Sequence, residues 1–292
     1  MSNNIDNTIE YVLVTGATGQ LGSDVCTELL KRGVHVIGIG SSDLDITDDE
    51  AVFNFFNSYK FSHVVHCAGY TKVDVAETEI ELNYAINVHG TENIVSQCYK
   101  YNIPLTFIST DYVFGGEGNI PFKEDDKVNP LCEYASSKCQ AENIVKKLEN
   151  YYILRISWVF GKNGNNFVKT MLKLAETKKE LKVVSDQIGS PTYTVDVAKL
   201  IVDMIEIKKY GIYHATNEGY VSWADFAREI FRQSNKDVKV IDVTTEEYNA
   251  KAHRPKNSRL DKSKLVEAGF HKLPPWQDAL KRYLIEIKNS CE

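Results

Sequence analysis

Long hydrophobic runs are missing from this sequence. No apolar stretch in its 292 residues approaches the roughly 18 needed to cross a bilayer, so no membrane partner is expected. The first residues, Met-Ser-Asn-Asn-Ile-Asp-Asn, lack the basic and apolar regions of a secretory signal, and the expected compartment is the cytoplasm. The six cysteines (26, 67, 98, 132, 139 and 291) include no CxxC pair, and most sit in apolar segments. Reduced thiols fit that pattern better than a disulfide framework. The seven histidines show no ligand spacing, so no zinc or other metal site is expected. No basic stripe is present either, and with a net charge of −6 the composition argues against nucleic acid as a partner. Any anionic ligand must then be held by local donors rather than by a global field. Internal repeats and low-complexity tracts are lacking as well.

What is present is an ordinary globular composition, 43% hydrophobic and 25% charged, in a chain long enough for one large domain or two modest ones. Strand and helix patterns alternate through the first half. Tyr11-Val-Leu-Val-Thr15 is a short β-branched run suited to a buried parallel strand, and residues 23–31 read as a helix with Val25, Leu29 and Leu30 on its apolar side. Further strands are expected at residues 34–40, 44–47, 63–68, 105–109 and 151–159, with helices at 49–59, at 84–101 and around Tyr134. This alternation predicts an α/β, Rossmann-type doubly wound parallel sheet with ligands at the carboxyl ends of its strands. Residues 115–130 read as a loop. After Gly161 the pattern loosens, with helices at 166–176 and 195–207, an extended segment at 181–184 and a further strand at 211–215. The expected division is a dinucleotide-binding domain over 1–160, rejoined by 190–217, and a smaller C-terminal α/β substrate-binding domain from 161–189 and 218–292.

Three features carry chemistry. Between the first strand and its helix lies Gly16-Ala-Thr-Gly19-Gln-Leu-Gly22. Glycines there allow a tight turn, close approach of backbone to a pyrophosphate and close packing of helix on strand, while the helix N-terminus supplies N–H groups. The spacing is GxxGxxG rather than GxGxxG; a purely structural turn is the alternative. Tyr134 and Lys138 stand four apart, on one face of a helix. A phenol beside an ammonium loses its proton more easily, which suits an acid or base at a carbonyl or alcohol. Thr110 closes the fifth expected strand in Ser109-Thr110-Asp111, where it could donate to a carbonyl oxygen or merely cap the next loop. Taken together, the three suit hydride transfer from a nicotinamide.

The glycine turn with Tyr-x-x-x-Lys resembles the extended short-chain dehydrogenase/reductase family. Within it, the chain is similar along nearly its whole length to the dTDP-4-dehydrorhamnose reductase branch. The segments that carry the resemblance include Leu44-Asp-Ile-Thr47, Ala68-Gly-Tyr-Thr-Lys-Val-Asp74, Ser109-Thr-Asp-Tyr-Val-Phe114, Tyr134-Ala-Ser-Ser-Lys138, Arg155-Ile-Ser-Trp-Val-Phe-Gly161, Asp186-Gln-Ile-Gly-Ser-Pro-Thr192 and Arg254-Pro-Lys-Asn-Ser258.

That resemblance implies reduction of the 4-keto group of dTDP-4-dehydro-L-rhamnose to dTDP-L-rhamnose with NADPH or NADH. It implies Tyr134 as proton donor, Lys138 on the nicotinamide ribose and Thr110 on the sugar carbonyl. The cofactor would be bound by Gly16, Thr18, Gly19, Gln20, Leu21 and Gly22, by Asp45 and Ile46 at the adenine, and by Ala68, Gly69 and Tyr70, with Asn87 beneath. Thr71, Val73, Asp111, Tyr112 and Trp158 would border the sugar, and Arg254 would meet the diphosphate, unless it is a solvated loop charge. Three departures stand out. Gly40-Ser41-Ser42 lacks the arginine that meets the 2′-phosphate of NADPH, and no acid ends the strand, so the choice of nicotinamide stays open. His66, Cys67 and Gly69 replace the usual asparagine and alanines, which is expected to reshape packing slightly and leave function unchanged. Asp24 matches one position of a magnesium-bridged dimer, but no other ligand can be assigned; no metal is expected, and the protein would be a monomer or homodimer. Rival readings are a dehydratase, which needs a carboxylate where Tyr112 stands, an epimerase, and an NADP-binding regulatory subunit of methionine adenosyltransferase.

Overall fold

The computed structural model describes residues 9–289. The seven opening residues and Cys291 discussed above lie outside them. The chain forms two compact units. The first takes the described residues up to Ser109, with Glu133–Leu154 and Ala198–Ile212; the second takes Thr110–Cys132, Arg155–Val197 and the described residues from Tyr213 on. By compactness, residues 110–132, 155–160, 190–197 and 213–217 group with the second unit, whereas the sequence pattern set them with the dinucleotide-binding part.

The central sheet starts from β1 (Tyr11–Thr15), whose Val12 to Thr15 are all buried. It pairs in parallel with β2 (Val36–Ile39) on one side, Thr15 opposite Ile39, and with β3 (Phe61–His66) on the other, Thr15 opposite His66. β3 pairs in parallel with β4 (Leu105–Thr110). With β5 (Tyr151–Ile156) and a last strand, Gly211–His214, the order is β2-β1-β3-β4-β5 and then Gly211–His214. This is the expected parallel, Rossmann-type arrangement. Because the chain winds outward in both directions from β1, the order reverses between β1 and β3, and ligands of such sheets bind outside the carboxyl ends at that point. Helix α1 (Gln20–Lys31) turns Leu21, Gly22, Val25 and Leu29 inward, and α2 (Asp49–Ser58), capped by the Asp48 carboxylate on the Ala51 N–H, buries Val52 and Phe56. Leu13, Val52, Phe56, Val64, Ile94, Leu105, Phe107 and Ile153 share one apolar core.

Two expected elements come out differently. Residues 44–47 are not a strand. Leu44 and Ile46 do alternate inward with Asp45 outward, which is the pattern of a half-buried strand. The backbone, however, is taken by turns: the Leu44 N–H bonds to the Gly40 carbonyl, and the Asp45 carboxylate accepts both the N–H and the hydroxyl of Thr47. The expected helix at 84–101 is a helix Ile80–Tyr84, a wider π-helical stretch Ala85–Gly90 and a helix Thr91–Tyr101. Such π-segments concentrate at functional sites, and Asn87 lies inside this one.

The second unit has its own aromatic core, including Phe160, Tyr193, Phe226, Trp276 and Tyr283. Around it, Glu180–Val184 pairs in parallel with Lys239–Val243, Ile188–Gly189 pairs antiparallel with Val221–Ser222, and Val159–Phe160 pairs in parallel with Thr192–Tyr193. The expected strand 151–159 therefore breaks after β5, at Ser157 and Trp158. Cys26, Cys67, Cys98, Cys132 and Cys139 are thiols rather than halves of disulfides.

Candidate active site

In the first unit the glycine turn closes on the chain leaving β3. Gly16 has φ +67°, a left-handed conformation that side chains disfavour, and a Cβ there would lie 2.7 Å from the Ala68 nitrogen. A Cβ on Gly22 would lie 2.2 Å from the Gly16 carbonyl oxygen. Backbone thus fills the space any side chain would need. α1 has as its N-cap Gly19, which brings no capping side chain, and the positive end of the helix dipole there favours an anion. Gln20 opens this helix and Leu21 is buried beneath it. Thr18 is exposed at the tip, where a Cβ on Gly40 would touch its methyl group at 2.9 Å. Asp45 is exposed, its carboxyl held below the usual range by Thr47, while Ile46 is buried over Gly90. The sequence reading missed Asp43: the turn after β2 brings its carboxylate onto the Gly40 N–H at 2.7 Å. An Asp three residues beyond a strand-ending glycine was the available signal, since such side chains bond nearby backbone.

The helix Glu133–Val145 carries Tyr134 and Lys138 on successive turns. Tyr134 is half-buried and its carbonyl accepts the Ser137 hydroxyl at 2.8 Å. Lys138 is buried, with its ammonium 3.9 Å from the centre of the Phe107 ring on β4. Burial pulls this amine down to about 7, opposed by the negative charge of Glu142. Glu142, unforeseen from the sequence, is buried one turn further on, accepts the Ser109 hydroxyl at 2.7 Å and lies 3.6 Å from Lys146. Asn87 clasps the loop after β3: its Oδ1 accepts the Tyr70 N–H at 2.8 Å, and its Nδ2 lies 3.1 Å from the Tyr70 carbonyl and 3.0 Å from the Ser137 hydroxyl. Gly69 leaves room for that amide, since a Cβ would sit 3.1 Å from Oδ1. The Tyr70 hydroxyl donates to Glu79 at 2.6 Å, which pushes the phenol up to about 12. Thr71 is exposed, and Val73 opens the short helix Val73–Ala76.

In the second unit Thr110 is buried as the N-cap of the turn Asp111–Val113. Its hydroxyl accepts the Tyr112 N–H at 3.2 Å and donates to Asp111 Oδ1 at 3.1 Å. The capping role is therefore real, and the hydroxyl proton rests on Asp111. Burial raises the Asp111 carboxyl to about 6 against hydrogen bonds from Ser258 and Thr110. Arg254 donates to the Tyr112 hydroxyl at 3.3 Å, so it is not simply a solvated charge. Burial raises the Tyr112 phenol, and the neighbouring guanidinium opposes this. Trp158 adopts φ 49° and stacks face to face on Trp223, ring centres 3.6 Å apart and planes 13° apart. Trp223 had no signal in the sequence, being 65 residues away from its partner. Among the described residues, no group of three or more His, Cys, Asp or Glu side chains is placed to hold a metal ion, and no helix is long and apolar enough to cross a membrane.

Residues 10–289 match the RmlD substrate binding domain. The sequence is 42% identical over 282 residues to the spore coat polysaccharide biosynthesis protein SpsK of Bacillus subtilis (strain 168), spanning 96% of this chain and 99% of that one. It is 41% identical to the dTDP-4-dehydrorhamnose reductase of Aggregatibacter actinomycetemcomitans, spanning 92% and 97%. A crystal structure of a dTDP-4-dehydrorhamnose reductase from Clostridium acetobutylicum ATCC 824 superposes with a TM-score of 0.93 at 44% identity, over 95% of this chain and 99% of the other. That from Bacillus anthracis str. Ames, in complex with NADP, gives 0.92 at 41% identity with the same coverage. With its glycine turn, its Tyr134 and Lys138 helix and this end-to-end likeness, the chain belongs to the RmlD family, that of the dTDP-4-dehydrorhamnose reductases.

Proposed function

We propose that the protein reduces the 4-keto group of dTDP-4-dehydro-L-rhamnose to dTDP-L-rhamnose with NADPH or NADH, in the cytoplasm, as a step toward cell-surface polysaccharide. The observation that carries this reading is the likeness to reductases over nearly the full length of both chains, at 41% identity. The glycine turn supports the cofactor assignment: Gly16 and Gly22 have no room for a side chain, and the N–H groups that open the helix suit a pyrophosphate. NADPH or NADH, when bound, would supply hydride to the carbonyl carbon.

The chain's own residues do the rest. Gly16, Thr18, Gly19, Gln20, Leu21 and Gly22 hold the diphosphate, Asp45 and Ile46 the adenosine, and Ala68, Gly69 and Tyr70 the nicotinamide half, with Asn87 fixing their backbone. Lys138 binds the nicotinamide ribose, and its charge lowers the cost of proton loss from Tyr134, which protonates the sugar oxygen. Thr110 holds that oxygen by swinging its hydroxyl proton from Asp111 to the substrate. Asp111, Tyr112, Thr71, Val73 and Trp158 line the sugar, and Arg254 offers a fork of donors to the diphosphate. The test is to supply dTDP-4-dehydrorhamnose with either nicotinamide and follow loss of reduced cofactor and formation of the product sugar. Tyr134→Phe should lower turnover by about 10² to 10⁴ while dinucleotide binding stays within about threefold. Folded wild-type protein that consumes neither reductant refutes the assignment.

A further inference from the structure

Six buried or half-buried residues of the first unit are linked through hydrogen bonds around His66, and the direction of each bond to its ring follows from its partners. Thr91 Oγ1 donates its only proton to the main-chain carbonyl of Asn87 at 2.7 Å. It must therefore accept at its other contact, His66 Nε2 at 3.1 Å, so Nε2 carries a proton. In the neutral ring Nδ1 is then bare, and it accepts the Thr15 hydroxyl at 2.7 Å. Thr15 Oγ1 in turn accepts the Ala68 N–H at 3.2 Å. The side-chain Oδ1 of the same Asn87 accepts the Tyr70 N–H. The loop after β3 is thus gripped at two amides, Ala68 by Thr15 and Tyr70 by Asn87, and His66 joins the two holders through Thr15 on one side and through Thr91 and the Asn87 main chain on the other. The imidazole lies fully buried, stacked 5.8 Å from the Phe107 ring that also carries the Lys138 ammonium. Burial first, and the Lys138 charge second, push its pKa down to about 3, so the ring stays neutral in the physiological range.

We propose that His66 is a positioning residue for the dinucleotide: through Thr15, Thr91 and Asn87 it locks residues 68–70 into the shape that receives the nicotinamide half. This rests on the reductase reading above and assigns to His66 a task that its replacement of an asparagine did not suggest. A loop so held needs no ordering when the cofactor arrives, which is how preorganisation raises affinity. Lys138 is the titratable group whose charge bears on the ring, and Thr15, Thr91 and Phe107 lie against it.

The full-length protein is compared with His66→Phe, which keeps a ring against Phe107 but no nitrogen, and with Thr91→Val, which leaves the histidine and removes its acceptor. Both should bind NADPH or NADH, whichever the wild type prefers, about tenfold more weakly. The Ala68 and Tyr70 amides should exchange hydrogen at least about tenfold faster, while amides within β4 exchange as before. Nitrogen NMR of the wild type should show a neutral His66 with its proton on Nε2 from about pH 5 to 8. His66→Gln, whose amide can reach Thr91, should recover part of the affinity. A folded phenylalanine or valine variant with wild-type affinity and unchanged exchange at residues 67–71 overturns the proposal, as does a proton found on Nδ1. Should His66→Phe fail to fold, Thr91→Val decides alone. Wild-type protein that binds neither dinucleotide defeats the reductase reading and this proposal with it, whereas binding without sensitivity to the variants defeats only the latter.

Discussion

The glycine turn of the first unit and the Trp158 shelf of the second are both offered as ligand surfaces, but they are made in opposite ways. The first is backbone against backbone, with no side chain able to enter: Gly16 faces Ala68, and Gly22 faces Gly16. The second is side chain on side chain, Trp158 lying on Trp223 above the bare Gly189. A surface of backbone cannot move aside as a side chain can, because the turn at Gly16 and the loop at Ala68 are continuous with β1, α1 and β3. A shelf of rings can tilt or slide. Damage to the turn should therefore be large and damage to the shelf small.

Gly22→Ala is the hardest blow to that comparison. Its methyl group would sit 2.2 Å from the Gly16 carbonyl oxygen, well inside van der Waals contact, and the neighbour is backbone. Overpacking of this kind costs about 1–3 kcal/mol or more, and the shift falls on the N–H groups proposed to meet the pyrophosphate. Dinucleotide affinity should drop roughly 100-fold, or the protein should unfold at lower temperature. Gly19→Ala is the control, since its methyl group would meet only one atom, at 3.1 Å. Nucleotide titration and a thermal melt of each variant decide it. Affinity within about threefold of wild type for Gly22→Ala would mean that the turn is as pliable as the shelf.

Lys138→Met asks whether the first unit gives up stability for its chemistry. The folded amine sits near pKa 7 because it is buried, against about 10.4 in an unfolded chain. Between those values the unfolded chain binds more protons, so this group makes stability rise with pH. Below about pH 7 both states are charged and the full cost of the buried charge is present. Methionine removes the cost: Tm at pH 6–7 should rise by about 2–5 °C, with the gain fading toward pH 10. Turnover should fall by about 10² or more. Reduced Tm at pH 7 would show that the Phe107 contact and the Glu142 charge outweigh the burial.

How much of this was legible follows the same divide. The strand, glycine turn and helix at residues 11–31 are contiguous, so local rules place them, and Tyr134 with Lys138 needs only the helical period. Residues 44–47 misled because burial really does alternate there, while the Asp45 side chain takes the hydrogen bonds a strand would have used. The π-helical stretch at 85–90 leaves no mark in an apolar periodicity. Contacts across long separations were out of reach altogether: His66 with Thr15, Glu142 with Ser109, Arg254 with Tyr112. Trp158 hides best, because nothing in its neighbours announces a left-handed tryptophan.

That strained tryptophan supplies the smallest and sharpest prediction. A bulky residue at φ 49° costs about 1–2 kcal/mol, so something must hold it. The stack on Trp223 offsets about 0.5–1.5 kcal/mol beyond its buried area. Gly189 supplies the rest of the room, since a Cβ there would press to 2.7 Å from the Trp158 ring. Trp223→Leu keeps an apolar side chain and removes the partner ring. Affinity for the dTDP-sugar should fall about three- to tenfold, and near-ultraviolet circular dichroism of the stacked indoles should collapse. Dinucleotide affinity should hold within about twofold, because the turn in the other unit depends on none of these atoms. Lost dichroism with unchanged sugar affinity would separate Trp158 from the substrate. Equal losses of sugar and dinucleotide affinity would show that the two surfaces do not act independently, and the contrast between backbone and side chain would no longer explain their tolerance to change.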